Sequence, residues 1–256
     1  MSLVPIVERR KSPVRKAWLA LLASLMLLAA CGTSKPKLPM LAQQPAEIHF
    51  TYYARQLTPY YETMKKQFEA AHPNVTVVQG DVLKAELLAF NKVVAIPPYY
   101  LSSRLVTWLL QRQTDCVVLI LQKEFADKLV APVSTENYGW LTVVAFHDAE
   151  AELLDSVPKS MFYPPPEVDS VIVRLIPWKS APFKVKEYEF FTRLVRWLFT
   201  QRNKKLSNSL VPFLRSTFKV GKEEAEKLAR NVPFVERRAR ELSPREFGEL
   251  ADALAK

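Results

Sequence analysis

GDVLKAELLAFNKVVAIPPYYLSS, residues 80–103, is the stretch whose reading decides the fold. It opens on a Gly-Asp turn, passes through a short polar segment into a buried strand (Lys92 to Ala95), and ends in Ile96-Pro97-Pro98-Tyr99-Tyr100. A strand that runs into two prolines and an aromatic makes a stiff loop at its C-terminal edge, where open α/β sheets bind their ligands. The prolines fix φ and offer carbonyls without competing N–H groups, and Tyr99 supplies a flat stacking face. On these residues alone, a proline-stiffened turn under an aromatic core contact is the plainer reading.

Working outward, composition bounds the rest. A chain of 256 residues that is 49% hydrophobic can bury one large core or two small ones. The net charge of +10 points to a polyanionic partner, either nucleic acid or an anionic membrane surface. Glycine occurs only at five positions (Gly32, Gly80, Gly139, Gly221 and Gly248), so no Gly-rich phosphate or dinucleotide loop exists. His49, His72, His147, Cys31 and Cys116 are scattered without ligand spacing, so no metal site is read.

The N-terminus reads as a targeting segment over 1–31. Arg9, Arg10, Lys11, Arg15 and Lys16 form a basic cluster ahead of an apolar run from Ala17 to Ala30. That run is shorter than the roughly 20 residues of a membrane span but suits a signal-peptide core. It ends Leu28-Ala29-Ala30-Cys31-Gly32 and resembles a bacterial lipoprotein signal, which implies lipidation at Cys31 and a membrane anchor. A Ser/Pro/Lys tether makes 32–46 a linker.

Residues 47–79 read as one β-α-β unit. Ile48, Phe50 and Tyr52 alternate as a strand, and Thr58-Pro59 suits a helix start. Tyr60, Tyr61, Met64, Phe68 and Ala71 recur at helical spacing as a core stripe, and Val75 to Val78 form a second strand. The segment IHFTYYARQLTPYYETMKKQFEAAHPNVTVV resembles the opening of an extracellular solute-binding protein.

From Gly80 onward a different resemblance takes over. Gly80-Asp81, the strand into Pro97-Pro98-Tyr99, Ser102-Ser103, Leu121 to Ala126 and Tyr138 to Val143 follow one another in order. Phe162-Tyr163-Pro164-Pro165-Pro166-Glu167-Val168-Asp169-Ser170, Arg202 to Asn208 and Arg238 to Pro244 continue the series. These blocks resemble the small-subunit ribosomal RNA adenine dimethyltransferase family over about residues 75–256, which makes the chain a chimera with its seam near 74–79. The resemblance implies an α/β fold: the C-terminal part of a class I methyltransferase (Rossmann-like) sheet over 80–178, then a helical RNA-binding domain over 179–256. It implies S-adenosylmethionine as cofactor, touched by Asp81 in the Gly80-Asp81 turn. It also implies a target adenine held by the Pro97 carbonyl and stacked on Tyr99, with small-subunit ribosomal RNA as partner. Arg202, Lys204, Lys205, Arg238 and Arg240 fall in its RNA-facing blocks.

Two departures from the family pattern bear on activity. Ile96 stands where the family has an Asn that accepts from the adenine amine. No glycine lies between Gly32 and Gly80, where the cofactor turn belongs. The expectation is therefore impaired dimethylation, with a non-catalytic RNA-binding module or a membrane-anchored solute-binding-type fragment as the alternatives. Localisation stays in conflict, because a cytoplasmic ribosomal enzyme and an exported lipoprotein exclude each other.

The C-terminal region supports a polyanion role by composition too. Residues 179–256 hold 18 Lys or Arg against 10 Asp or Glu, an excess of 8. Phe190, Leu194, Trp197 and Leu198 form a helical core stripe, with Arg193 and Arg196 off it. Lys123-Glu124 reads as a surface pair at a strand-to-helix junction, residues 163–166 as a rigid connector, and Cys116 as a buried strand thiol.

Overall fold

The computed structural model describes residues 48–49, 58–73, 77–78, 80–84 and 90–255. Residues 1–46, read from sequence as a signal segment with Cys31 and a linker, lie outside them. The chain divides into two compact units at Gln79/Gly80.

In the first unit, β1 (Ile48–His49) pairs in parallel with β2 (Val77–Val78), and α1 (Thr58–Ala71) connects them. The β-α-β reading holds, and Glu69 Oε1 accepts from Val77 N at 2.8 Å to tie helix to strand. The core stripe does not hold: Tyr60, Met64 and Phe68 are 60%, 46% and 38% exposed. Among the described residues of this unit, a pair of two-residue strands offers too little surface to cover a 14-residue helix.

The second unit is built on a four-stranded sheet in the order β3 (Lys92–Ala95), β4 (Cys116–Gln122), β6 (Ser170–Pro177) and β5 (Ala149–Val157). β3 and β4 are parallel, whereas β6 runs antiparallel to both of its neighbours. The run CVVLILQ makes β4 a central strand, with five consecutive buried residues. Register puts Val117, Leu119 and Leu121 opposite Leu175, Val173 and Val171. That face packs under α2 (Ser102–Leu110) and α4 (Trp140–Asp148) through Leu105, Leu109, Leu141 and Val144. A short α3 (Lys123–Asp127) starts directly after β4, as the strand-to-helix reading requires, and Lys123 pairs with Asp127 at 2.9 Å. Cys116 is half-buried rather than buried because it opens the strand, and burial still pushes its thiol up.

Beyond the sheet come α5 (Tyr188–Thr200), α6 (Leu206–Phe218), α7 (Lys222–Arg230) and α8 (Pro244–Leu254). The stripe read from sequence is the core: Phe190, Leu194 and Leu198 are buried with Leu210, Leu214, Phe247 and Leu250. Tyr138, Ala131 and Val143 of the preceding segment join that same core. Tyr138 OH donates to Leu242 O at 2.6 Å, and burial pushes its phenol above the ordinary range. Among the described residues no helix is long and apolar enough to cross a membrane.

α8 opens with a capping box. Ser243 N donates to Glu246 Oε2 at 2.7 Å, and Arg237 adds an ion pair to Oε1 at 2.5 Å. Partial burial works to raise the Glu246 pKa, but the bonds from Ser243 and Arg237 outweigh it and hold the carboxyl below its ordinary value. A depressed folded pKa contributes stability above the unfolded value, near 4.3, that is lost as pH falls through the folded one. The stability gap between wild type and Glu246→Gln, measured by urea denaturation, should therefore close between neutral pH and about pH 3. A second test lies in α8. A Cβ on Gly248 would sit 2.7 Å from Phe183 Cδ2 and Cε2, against a buried ring. Gly248→Ala gains about 1 kcal/mol of helix propensity but overpacks by roughly 1–3 kcal/mol. A net loss of about 1 kcal/mol should lower Tm by a few degrees.

Candidate active site at the sheet edge

Strand directions decide which loops meet. β3 and β4 end at the same edge because they are parallel, and β6 begins there with Ser170 opposite Gln122. β5 ends there too, with Val157 opposite Ser170. The loop 96–101, the start of α3 and the connector 158–169 therefore converge on one edge.

Hydrogen bonds then fix these loops to one another. The Tyr99 hydroxyl lies 2.9 Å from Ser170 Oγ, whose residue is fully buried. Lys123 N donates to Asp169 O at 3.1 Å, and Lys159 N donates to Asp169 Oδ1 at 2.9 Å. Leu101 N closes a 3₁₀ turn on Pro98 O at 2.8 Å. Pro97 is buried, Tyr99 half-buried, and Ile96 is 52% exposed. Tyr100, Met161 and Tyr163 are exposed at 69%, 65% and 99%, so the edge presents a broad apolar and aromatic surface. Sequence reasoning did not pick out Ser170 as the partner of Tyr99, although it ends the block 162–170; a pairing 71 residues apart needs the sheet register.

The Gly80-Asp81 turn is exposed, and Val82 and Leu83 pack against the sheet core. Asp81 Oδ1 accepts from Leu83 N at 3.0 Å, and Oδ2 lies 3.9 Å from Lys84 Nζ. The carboxylate thus serves its own turn.

The basic residues gather where the α5–α6 connection meets segment 235–241. Lys205 and Arg238 face each other in an isolated antiparallel bridge, with Lys204 just before and Arg240 two residues after. Lys204 is exposed, while Lys205 Nζ contacts Glu236 Oε2 at 2.6 Å. Arg202 behaves differently: Nη1 and Nη2 donate to Glu136 O and Thr135 O, each at 2.9 Å. Its guanidinium ties segment 131–139 to the helices, and Ser134 N adds a bond to Arg240 O at 3.0 Å.

A buried network that sequence spacing did not suggest joins the same two regions. His147 Nδ1 lies 2.7 Å from Asp148 Oδ1, and the Tyr188 hydroxyl donates to Asp148 Oδ2. Burial and then the bond to Asp148 push the Tyr188 phenol up. No group of three metal-ligating side chains occurs among the described residues.

A family model described as ribosomal RNA adenine dimethylase matches residues 58–251. The probable ribosomal RNA small subunit methyltransferase A of Methanosarcina acetivorans is 38% identical over 183 residues, 71% of this chain and 66% of that protein. The corresponding protein of Methanococcoides burtonii is 34% identical, covering 80% of this chain and 75% of its own length. That of Geobacillus thermodenitrificans is 36% identical over 72% of this chain and 67% of that protein. The chain thus spans between 66% and 75% of the length of these relatives. The crystal structure of a dimethyladenosine transferase from Plasmodium falciparum superposes with a TM-score of 0.66 at 27% identity, covering 80% of each chain. The 23S rRNA methyltransferase ErmE, at 23% identity and TM-score 0.53 over 81% of this chain, shares the fold. Because the family match starts at residue 58, α1 and β2 fall inside it rather than in a foreign unit. The solute-binding, lipoprotein and chimera readings gain no support from any of these likenesses.

The Tyr99–Ser170 bond gives a test of site architecture. Tyr99→Phe should cost about 1–3 kcal/mol in urea denaturation, because it strands a buried Ser170 hydroxyl. Adding Ser170→Ala should recover most of that loss, and a double variant no better than the single would remove the bond from the account.

Proposed function

Because the chain belongs to the ribosomal RNA adenine dimethylase family, we propose that it docks small-subunit ribosomal RNA and holds a target adenine at the sheet edge, with methyl transfer severely impaired. Residues 80–178 carry the adenine site and 179–256 the RNA-docking surface. This reading places the protein in the cytoplasm, where ribosomal subunits are assembled.

The observation that carries it is the Tyr99–Ser170 bond, which holds a half-buried aromatic ring beside the buried Pro97. An adenine must leave its stack to be modified, and such a pocket offers it a new stacking partner. The Pro97 carbonyl supplies an acceptor for the exocyclic amine, with no N–H of its own residue to compete. The Ile96 side chain offers no acceptor, so the amine would lack the side-chain contact that the family uses beside the carbonyl. Loss of one preorganised polar contact at a reacting centre costs about 10²–10³-fold in rate.

S-adenosylmethionine supplies the methyl group in this family, and the chain lacks the glycine turn that the resemblance implies for it. Asp81 is engaged by its own turn and by Lys84. Among the described residues β3 is the last strand of its sheet, and no glycine lies in 33–79 to let backbone approach a cofactor. What the chain retains is a stacking face, an acceptor and a cationic docking surface.

With labelled S-adenosylmethionine and small subunits lacking dimethylated adenines, incorporation should stay about 100-fold or more below that of an active relative. RNA binding by the same protein should persist and fall steeply with salt. Micromolar cofactor binding by calorimetry, or near-stoichiometric methylation, would show that the cofactor site is intact after all.

A further inference from the structure

The α5–α6 hairpin carries more positive charge than its structural contacts use. Seven Lys or Arg and no Asp or Glu fall between Phe190 and Gly221. Arg202 is held by backbone carbonyls and Lys205 by Glu236. Arg193 and Arg196 lie one turn apart on the exposed face of α5. Among the described residues neither has a carboxylate within 4.0 Å. Like charges at i,i+3 repel on a helix, a cost that an anion from outside the chain would reverse.

Both guanidiniums are oriented by aromatic rings. Arg196 lies 4.5 Å from the Trp140 centroid, and Arg193 lies 5.8 Å and 5.9 Å from those of Phe190 and Phe213. They border a cleft of about 350 Å³ whose wall includes Trp197, Thr200 and Ser216. That volume is at the small end of the roughly 300–1,000 Å³ that ligand clefts occupy. The Trp197 indole is half-buried and pinned by its N–H to Ser209 O at 2.9 Å. The Thr200 and Ser216 hydroxyls donate to Trp197 O and Phe213 O at 2.7 Å and 2.9 Å. With their protons committed, these hydroxyls can meet a ligand only as acceptors, which suits a ribose 2′-hydroxyl or a base N–H.

Cations beside a fixed aromatic surface are a means by which proteins hold unpaired nucleotides. A flat anionic membrane would use the charge but not the Trp197 ring. We propose that the α5–α6 cleft binds one unpaired nucleotide of RNA, its phosphate against Arg193 and Arg196 and its base against Trp197. The proposal rests on the RNA-docking reading above and adds a contact site apart from the Lys204, Lys205, Arg238 and Arg240 cluster.

The test compares the full chain with Arg193→Gln/Arg196→Gln and Arg193→Lys/Arg196→Lys, using a labelled small-subunit ribosomal RNA transcript across a salt series. Circular dichroism and Tm confirm that each variant folds. The Gln pair should bind at least 10-fold more weakly and lower the salt slope by about 0.7, the value for one single-strand phosphate. The Lys pair should keep the slope. Wild-type binding with a steep slope that the Gln pair leaves unchanged overturns the cleft proposal alone. A wild type that binds no RNA overturns the docking reading itself, and this proposal with it. Equal affinity for a fully duplexed transcript, or a Gln-pair defect seen only on phosphatidylglycerol vesicles, also rules out the unpaired nucleotide.

Discussion

The antiparallel register of β4 on β6 is the constraint on which the rest of the second unit depends. Six consecutive pairs, from Val117↔Leu175 to Gln122↔Ser170, bury both strands and leave Ser170 at the edge where β3 ends. Side chains alternate across a strand, so a one-residue slip would turn Val117, Leu119 and Leu121 away from α2 and α4. It would also move Ser170 from the Tyr99 hydroxyl. Core packing and site geometry are thus held by the same register.

The helical region joins this sheet through polar contacts inside an apolar seam. Tyr138 reaches Leu242 O, Arg202 reaches the carbonyls of Thr135 and Glu136, and Tyr188 reaches Asp148 beside His147. Each buried polar group finds a partner across the seam, and leaving one unpaired costs more than forming the pair gains. Such contacts specify one relative placement of the helices and the sheet edge. Arg202 therefore contributes as a tie, whereas the exposed Lys204 and the paired Arg193 and Arg196 keep their charge toward solvent.

Recognition and transfer make different demands, and on the proposed reading this chain meets them unequally. Docking RNA needs distributed positive charge, which tolerates the loss of any single residue. Stacking needs one rigid ring, and Tyr99 is anchored at its hydroxyl. Methyl transfer needs an aligned amine and a backbone that approaches the cofactor closely, and here the alignment lacks a side-chain acceptor at Ile96. On that reading, the requirements lost are those with the least geometric tolerance.

The sequence by itself determined the local features. Lys92–Ala95 and the Pro-Pro-Tyr loop, the strand-to-helix junction at Gln122/Lys123 and the core stripe of α5 follow from period and proline chemistry, which act over a few residues. The family resemblance was likewise legible in its ordered blocks. Only the tertiary structure decided which features meet. β5 hides in the polar run AEAELLDSV because it is an edge strand with one partner, and the exposed α1 stripe mimics a core helix that finds too little to cover it. Tyr99 with Ser170, Arg202 with segment 131–139 and Arg196 with Trp140 were each fixed by packing. Register and hydrogen-bond satisfaction act over distances of up to 71 residues here, and no local spacing encodes them.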